Sequence, residues 1–222
     1  MNPLYIVPTP LGNLEDITIR SLNILKISDL ILCEDTRRTS ILLNHYSIKK
    51  KLVSFNKDNE DKKIDKVLGL LETNTISLVS DAGTPTVSDP GSKLVKKLIE
   101  EDMQVIPLPG PSSITTAYSA SGLDGNFIFA GFLPKNESDL KKKLIDLNQI
   151  NKNIILFESP KRIKKFLEIS RKIFINSNLI IFKELTKINE KIPILSYITT
   201  VAHEQYHQTG VAAENEASYC CF

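Results

Sequence analysis

The sequence predicts an α/β protein of two domains, with a mostly parallel sheet in the first. Short apolar segments rich in β-branched residues alternate with amphipathic segments, as in parallel sheets that helices cover on both faces. A chain of 222 residues is long enough for two small domains of this kind. Pro- and Gly-containing loops follow three of the predicted strands and a charged segment follows a fourth, at the strand ends where ligands bind in open α/β sheets.

The first domain is predicted to span residues 1–121. Its strands are short apolar runs, and each is followed by a segment whose apolar residues recur at helical spacing. Strands are expected at 4–7, 29–33, 51–55, 76–79 and 104–107. Helices are expected at 21–26, 39–46, 62–72, 92–100 and 112–121.

The second domain is predicted to span residues 126–190, after a boundary near 121–125. The same alternation predicts strands at 126–129, 153–157 and 178–182, and helices at 138–149 and 160–172. We therefore expect a second, mixed α/β domain that is incomplete at its end.

The last segment, 191–222, has a different composition. It contains only Lys191 among the 28 Lys and Arg residues, yet two of the three histidines and two of the three cysteines. We interpret it as an atypical tail of foreign or degenerate sequence, expected to make few contacts with the second sheet. An interaction tail is the less favoured interpretation.

Charge and cysteine content exclude several classes of protein. The 28 basic and 26 acidic residues nearly cancel, so no overall field indicates a nucleic-acid partner. Three cysteines form no disulfide framework or zinc spacing, which is typical of a reducing compartment. Because the sequence has no signal peptide and no apolar run of membrane-spanning length, we expect a cytoplasmic protein without membrane contact.

The loop after the fourth strand is the most informative segment, with the sequence SDAGTPTVSDPG at residues 80–91. It is longer than an ordinary strand-to-helix connection, it is stiffened by two prolines, and its glycines let backbone approach a ligand. The segment therefore predicts a small-molecule site.

Three further loops are expected at the same edge of the sheet. The first strand leads into Pro8–Leu14 without the G-x-G-x-x-G pattern of dinucleotide sites, and the chain contains no phosphate-binding P-loop motif. The second strand is followed by Glu34, Asp35 and Arg37, and adjacent acidic and basic side chains at the end of a strand predict a polar site. The fifth enters a helix through residues 109–113, where exposed amides and hydroxyls could hold an anion.

Together these loops resemble the RsmI family, the bacterial ribosomal small subunit methyltransferases I of the tetrapyrrole methylase superfamily. The resemblance covers about residues 4–190. It is carried by the segments 8–18 (PTPLGNLEDIT), 33–37 (CEDTR), 80–91, 109–113 (PGPSS), 131–135 (GFLPK), 158–162 (ESPKR) and 184–190 (ELTKINE).

The resemblance implies a tetrapyrrole methylase-like fold, S-adenosyl-L-methionine as methyl donor, and 2′-O-methylation of a cytidine ribose in the decoding region of 16S rRNA. It also implies the small ribosomal subunit as partner and a homodimer. It places the cofactor against the segments 81–85 and 112–113, and we add Asp89 of the same loop. The expected cofactor-binding residues are Asp81, Ala82, Gly83, Thr84, Pro85, Asp89, Ser112 and Ser113.

Methyl transfer to a hydroxyl is accelerated by in-line positioning and by a general base. By position, Asp35 and Glu34 are the candidates for that base, and Arg37 and Lys135 are expected to hold RNA phosphate or ribose. Family members often carry arginine where Lys135 stands, and lysine lacks the bidentate fork of arginine. Two alternatives stay open: a porphyrinoid methyltransferase of the same fold and a non-catalytic remnant.

The tail contains a sequence that matches a zinc-protease motif, H-E-x-x-H, at His203, Glu204 and His207. The third ligand position of the longer motif is occupied by Ala213, and a catalytic zinc site normally needs three protein ligands. We therefore predict no functional metal site.

Overall fold

The computed structural model describes residues 2–175 and 177–186 in full, and the backbone of 195–197 and 218–221. The chain divides into two compact units, Met1–Ser112 and Ser113–Phe222. This division assigns the helix that begins at Ser113 to the second unit, whereas the sequence predicted it as the last element of the first domain. In the part of the chain that is described, no helix is long and apolar enough to cross a bilayer.

The first unit alternates strand and helix throughout. Its strands are β1 (Leu4–Ile6), β2 (Leu30–Cys33), β3 (Lys51–Ser54), β4 (Ile76–Val79) and β5 (Val105–Pro107). Its helices are α1 (Ile19–Ile27), α2 (Thr36–His45), α3 (Glu60–Leu71) and α4 (Ser92–Glu100), and a single 3-10 turn forms at Leu14–Asp16. Each predicted strand and helix is confirmed, and its ends differ from the prediction by a few residues. The period of the apolar residues shows whether a segment is a strand or a helix more reliably than it shows where the segment begins and ends.

The five strands form one parallel sheet in the order β3-β2-β4-β1-β5. β2 and β4 are buried along their whole length, because helices cover both faces of the sheet. One layer of core contains Leu4, Leu32 and Leu78, and the opposite layer contains Val7, Ile31 and Val79. Since all five strands are parallel, the loops that follow them emerge at one edge.

The second unit contains α5 (Ser113–Ala120), β6 (Phe127–Phe132), α6 (Glu137–Asn148), β7 (Asn153–Glu158), α7 (Ile163–Ser170) and β8 (Leu179–Phe182). Two further strands come from the predicted tail region, β9 (Leu195–Tyr197) and β10 (Ser218–Cys221). The sheet order is β6-β7-β10-β8-β9, in which β6 and β7 are parallel and the remaining pairs are antiparallel. This unit combines helices with a sheet, as the sequence predicted, and the structure adds that the sheet has both parallel and antiparallel pairs.

The position of β10 corrects the expectation for the tail. Residues 218–221 pair with β7 on one side and with β8 on the other, so the prediction that the tail makes few contacts with the second sheet is wrong for these residues. The domain that was expected to be incomplete at its end thus continues with two further strands, β9 and β10.

Candidate active site

The candidate site lies at the carboxyl edge of the first sheet, where the loops after β1, β2, β4 and β5 emerge. Thr9 connects two of these loops through backbone. Its N–H donates to the Gly83 carbonyl and the Gly83 N–H donates to the Thr9 carbonyl, both at 2.9 Å. The Thr9 hydroxyl, which is buried, also donates to the Ser80 carbonyl at 3.0 Å. These bonds fix the start of the loop that contains residues 81–85.

Gly83 takes a conformation that other residues adopt at a cost. Its φ is +84°, and a Cβ at this position would lie 3.2 Å from Leu11 Cδ2 and 3.8 Å from the Pro111 carbonyl oxygen. The next residue, Thr84, donates its hydroxyl hydrogen to that same Pro111 carbonyl at 3.0 Å. The loops after β1, β4 and β5 are thereby joined around one buried glycine, whose N–H and carbonyl are both bonded to Thr9.

The second half of the β4–α4 loop is strained and is held by a buried glutamate. Thr86 and Ser88 have φ values of 71° and 70°, which non-glycine residues seldom adopt. Gly91 follows with φ +114°, and a Cβ there would collide with the Leu78 side chain. Glu60 Oε1 accepts the backbone N–H groups of Gly91, Lys93 and Leu94 at 3.1, 3.2 and 3.3 Å. The first residue of α3 therefore caps the start of α4.

Asp81 connects this loop to the end of β2. Its Oδ1 accepts the backbone N–H of Asp35 at 3.1 Å, and its Oδ2 lies 3.6 Å from Arg38 Nε. Burial raises the pKa of Asp81, and the Asp35 N–H and the Arg38 charge oppose that shift. Two of the predicted site residues, Asp35 and Asp81, are thus in direct contact.

The Asp35 carboxylate is engaged in hydrogen bonds with Arg37, in the first turn of the helix that Asp35 caps. Its Oδ1 accepts the Arg37 backbone N–H at 2.8 Å, which caps α2, and Arg37 forms a bidentate pair with the carboxylate at 3.1 and 2.7 Å. Hydrogen bonding to Arg37 lowers the pKa of Asp35 to about 2. The capping explains why α2 begins at Thr36, before the predicted start at residue 39.

Glu34 and Asp89 have raised pKa values, in contrast to the lowered pKa of Asp35. Burial, and then the charge of Asp81, raise the pKa of Glu34. Burial, and then the charge of Glu34, raise the pKa of Asp89 to about 6. Carboxyl groups that hold a proton this readily, side by side at a sheet edge, are typical of a site that binds a cation or accepts protons.

A cavity of about 500 Å³ opens beside these carboxylates. It lies where the loops after β2 and β3 meet, on the β3 side of the sheet. Its lining combines acidic, basic and amide groups: Glu34, Asp35, Thr36, Arg37, Ser54, Asn56, Lys57, Asp58 and Asp81. Such a lining offers both donors and acceptors to a polar ligand.

The remaining predicted site residues belong to several other segments of the chain. Ser112 is the last residue of the first unit, and Ser113 begins α5 in the second. Lys135 is an exposed residue of the second unit, after β6. Ala82 accepts a hydrogen bond from the Ser80 hydroxyl at 3.3 Å, and Pro85 is buried. The motif residues His203, Glu204 and His207 lie outside the described residues, so the zinc prediction stays a prediction.

Four residues of the site were missed in the sequence. Thr9 and Ser80 stand inside motifs that were recognised, so their hydroxyls could have been named. Glu60 acts on a loop that is 31 positions away along the chain, and Lys57 donates to the Ser88 carbonyl at 3.0 Å from a different loop. No local pattern in the sequence shows such pairings.

Comparison with known proteins identifies the family. The family described as Tetrapyrrole (Corrin/Porphyrin) Methylases matches residues 3–196. Ribosomal RNA small subunit methyltransferase I from Thermotoga maritima is 47% identical over 193 residues, which cover 86% of each chain. The chain belongs to the ribosomal RNA small subunit methyltransferase I family of tetrapyrrole methylases.

A second relative shows how far this family membership extends along the chain. Ribosomal RNA small subunit methyltransferase I from a Hydrogenobaculum species is 47% identical over 214 residues, covering 95% of this chain and 92% of the relative. A match of that length must extend beyond Glu190. The expectation that the resemblance ends there is therefore wrong.

Solved structures support the fold. Uroporphyrin III C-methyl transferase from Thermus thermophilus superposes with a TM-score of 0.66 at 14% identity, covering 99% of this chain and 97% of that one. The cobalamin biosynthetic enzyme cobalt precorrin-4 methyltransferase gives a TM-score of 0.71 at 18% identity, with coverage of 99% and 94%. At such identities the likeness shows the tetrapyrrole methylase fold alone.

Proposed function

We propose that this protein transfers a methyl group from S-adenosyl-L-methionine to the ribose 2′-hydroxyl of a cytidine in the decoding region of 16S rRNA. The observation that carries the proposal is the polar cavity that Glu34, Asp35 and Asp81 line at the carboxyl edge of the first sheet, found in a member of this family. The names of the relatives supply the substrate class, the small-subunit ribosomal RNA.

The residues of the first unit fit the cofactor. A sulfonium cation is stabilised by carboxylates and carbonyls that cannot attack it, and Asp81, Asp89 and the Ala82 carbonyl are such groups. At Gly83 the φ of +84° and the tight approach to Leu11 disfavour any side chain, so glycine is needed to hold this loop in place. When bound, the cofactor supplies an electrophilic methyl group. Ser112 and Ser113 complete the proposed binding set.

Proton acceptance is assigned to Glu34 rather than to Asp35. The ribose hydroxyl becomes a better nucleophile as its proton is taken, and a general base contributes about 10²–10⁴-fold. The Asp35 carboxylate is held by three hydrogen bonds from Arg37, and its pKa of about 2 makes it a weak acceptor. The pKa of Glu34 is raised by burial, which makes it the stronger base. Asp35 then orients Arg37 toward phosphate or ribose.

The experiment uses labelled cofactor and small ribosomal subunits from a strain that lacks the enzyme. Label that resists alkaline hydrolysis at one cytidine supports the proposal, since 2′-O-methylation blocks cleavage at that position. Label on a porphyrinoid substrate alone supports the second enzymatic interpretation. Absence of transfer to either substrate supports a non-catalytic remnant.

The assignment of the base is tested with a pair of variants. Glu34→Gln is expected to lower kcat by about 10²-fold or more. Asp35→Asn is expected to raise KM for the subunit while changing kcat less, because it frees Arg37. In the wild type, kcat should fall as pH decreases through the raised pKa of Glu34. Equal losses of kcat in both variants would contradict the assignment.

The proposal also includes the homodimer and a cytoplasmic location, where ribosomal subunits mature. Light scattering during size-exclusion chromatography measures the oligomeric state directly. A mass near twice the 24.9 kDa of the chain is expected.

A further inference from the structure

The end of β6 contains a β-bulge that changes the face of the sheet on which Phe132 lies. The β6–β7 register passes from Phe129 opposite Ile155 to Gly131 opposite Leu156, so Ala130 is an extra residue, a β-bulge. Gly131 takes a φ of +63°. Bulges re-aim the side chains that follow them, and they are frequent beside functional sites.

The bulge places Phe132 opposite Phe157, on the sheet face that also carries Phe129 and Ile155. Strict alternation would have placed Phe132 on the other face, with Ile154 and Leu156. The Phe132 ring contacts the Phe157 ring edge-on, with centroids 5.3 Å apart, yet 52% of Phe132 stays exposed. Half of a large aromatic side chain is therefore presented to solvent.

The loop that follows is anchored by Glu158, the last residue of β7, and by Arg162, which precedes α7. Arg162 donates to the Leu133 and Pro134 carbonyls at 3.3 and 2.7 Å. Its guanidinium lies 3.3 Å from Glu158 Oε2, and the Glu158 side chain is only 1% exposed. Glu158 Oε1 accepts the Ser159 N–H at 2.8 Å, whereas Oε2 has no hydrogen bond within the described residues. Leu133 is buried, so the loop is fixed between Phe132 and Lys135.

The charge of this edge is positive. Residues 131–137 and 158–165 contain five basic and two acidic residues. Both acidic groups are engaged, since Glu158 faces Arg162 and Glu137 pairs with Lys141 and Lys165 at 2.8 Å. Lys135 and Lys161 are exposed on the two adjacent loops.

From this arrangement we infer that Phe132 is a stacking platform for a base of single-stranded RNA, and that Lys135 contacts the adjacent phosphate. An exposed aromatic ring in a basic surface is the combination that single-stranded nucleic acid requires, because every base has a face to stack and each link carries a phosphate. Arg162 and Glu158 are positioning residues for this loop. The inference deepens the proposed function and rests on it.

A tryptophan reporter tests the stacking. The chain has no tryptophan, so Phe132→Trp introduces a single indole whose emission is quenched when a base stacks on it. Phe127→Trp is the matched control, since Phe127 is a partly exposed aromatic residue at the other end of β6. A single-stranded oligoribonucleotide with the acceptor sequence is expected to quench Phe132→Trp but not Phe127→Trp. Saturating RNA that leaves both emissions unchanged overturns the inference.

Affinity at several salt concentrations separates stacking from phosphate contact. Phe132→Leu is expected to weaken RNA binding about 5- to 150-fold with an unchanged salt slope, and Phe132→Tyr should bind as the wild type does. Lys135→Gln is expected to lower the salt slope by about 0.7. If Phe132→Leu and Phe127→Leu bind RNA with equal affinity, the inference is contradicted. A changed salt dependence of RNA affinity in Phe132→Leu also contradicts it.

A separate measurement of methyl transfer by the wild-type protein distinguishes a failure of this inference from a failure of the proposed function. Quenching in Phe132→Trp without transfer to small subunits would reject the activity and retain the RNA surface. Transfer without quenching would retain the activity and reject Phe132 as the platform.

Discussion

The β4–α4 loop of the first unit and the β6–α6 loop of the second both follow the carboxyl end of a strand, but they are fixed in different ways. The first is held through its own backbone groups: Gly83 pairs with Thr9 backbone, and the N–H groups at the start of α4 donate to the Glu60 carboxylate. The second is held by a side chain, the Arg162 guanidinium on two carbonyls.

The difference has consequences for what each loop can bind and tolerate. A loop that depends on glycines at positive φ accepts almost no side chain at those positions. A loop held by one guanidinium keeps its exposed side chains free to vary, and it suits a large, charged partner. The first arrangement fits a small cofactor, and the second fits RNA.

The largest expected effect is on the backbone-built loop. Gly83→Val should reduce cofactor affinity by more than about 100-fold, because a β-branched residue at positive φ is strained and its side chain would press on Leu11. Isothermal titration calorimetry measures the loss. Gly69→Ala is the control, since a Cβ at that helical position meets nothing within 4 Å and should stabilise the protein by about 1 kcal/mol. Unchanged affinity in Gly83→Val would remove this loop from the site.

Glu60→Ala should be the next largest change. It leaves three N–H groups at the start of α4 without their acceptor, at a cost of about 2–3 kcal/mol in the free energy of unfolding. Urea denaturation measures this difference. Asp61→Ala, one residue away, removes only an exposed ion pair with Lys93 and should cost less than about 1 kcal/mol. Similar losses in the two variants would mean that the cap contributes little.

Asp89→Asn should stabilise the protein at neutral pH. Because the folded state raises the pKa of Asp89 from 3.8 to about 6, it binds more protons than the unfolded chain between those values, and stability falls as pH rises through them. Allowing for partial exposure, removal of the ionised carboxyl should add about 1–2 kcal/mol at pH 7. Thermal unfolding at several pH values checks this, and a gain that persists below pH 4 would contradict it.

Arg162→Lys should have the smallest effect, on the side-chain-held loop. Lysine keeps the charge beside Glu158 but loses the fork that reaches two carbonyls, so KM for the small subunit should rise severalfold, about 1 kcal/mol, with kcat unchanged. Steady-state methylation kinetics provide the measurement, with Arg171→Lys as the control. A fall in kcat at constant KM would assign Arg162 a different role.

Much of the fold could be predicted because short stretches of sequence determine its strands and helices. Apolar β-branched runs such as Ile76–Val79 and amphipathic segments such as Ser92–Glu100 are visible in any short window, and the structure confirms them. The loops at the carboxyl edge were equally visible, because Gly and Pro mark three of them and adjacent charged residues mark the one after β2. The sequence by itself therefore determined the α/β class, the element order and the loops that matter.

The tertiary structure alone decided which of these residues act together. Asp35 and Glu34 are neighbours in sequence with similar chemistry, yet Arg37 lowers the pKa of one and burial raises that of the other. The bulge that turns Phe132, the cap from Glu60 and the insertion of Ser218–Cys221 between β7 and β8 also join distant segments. Long-range pairing and burial set these features, and neither is encoded in a local pattern of residues.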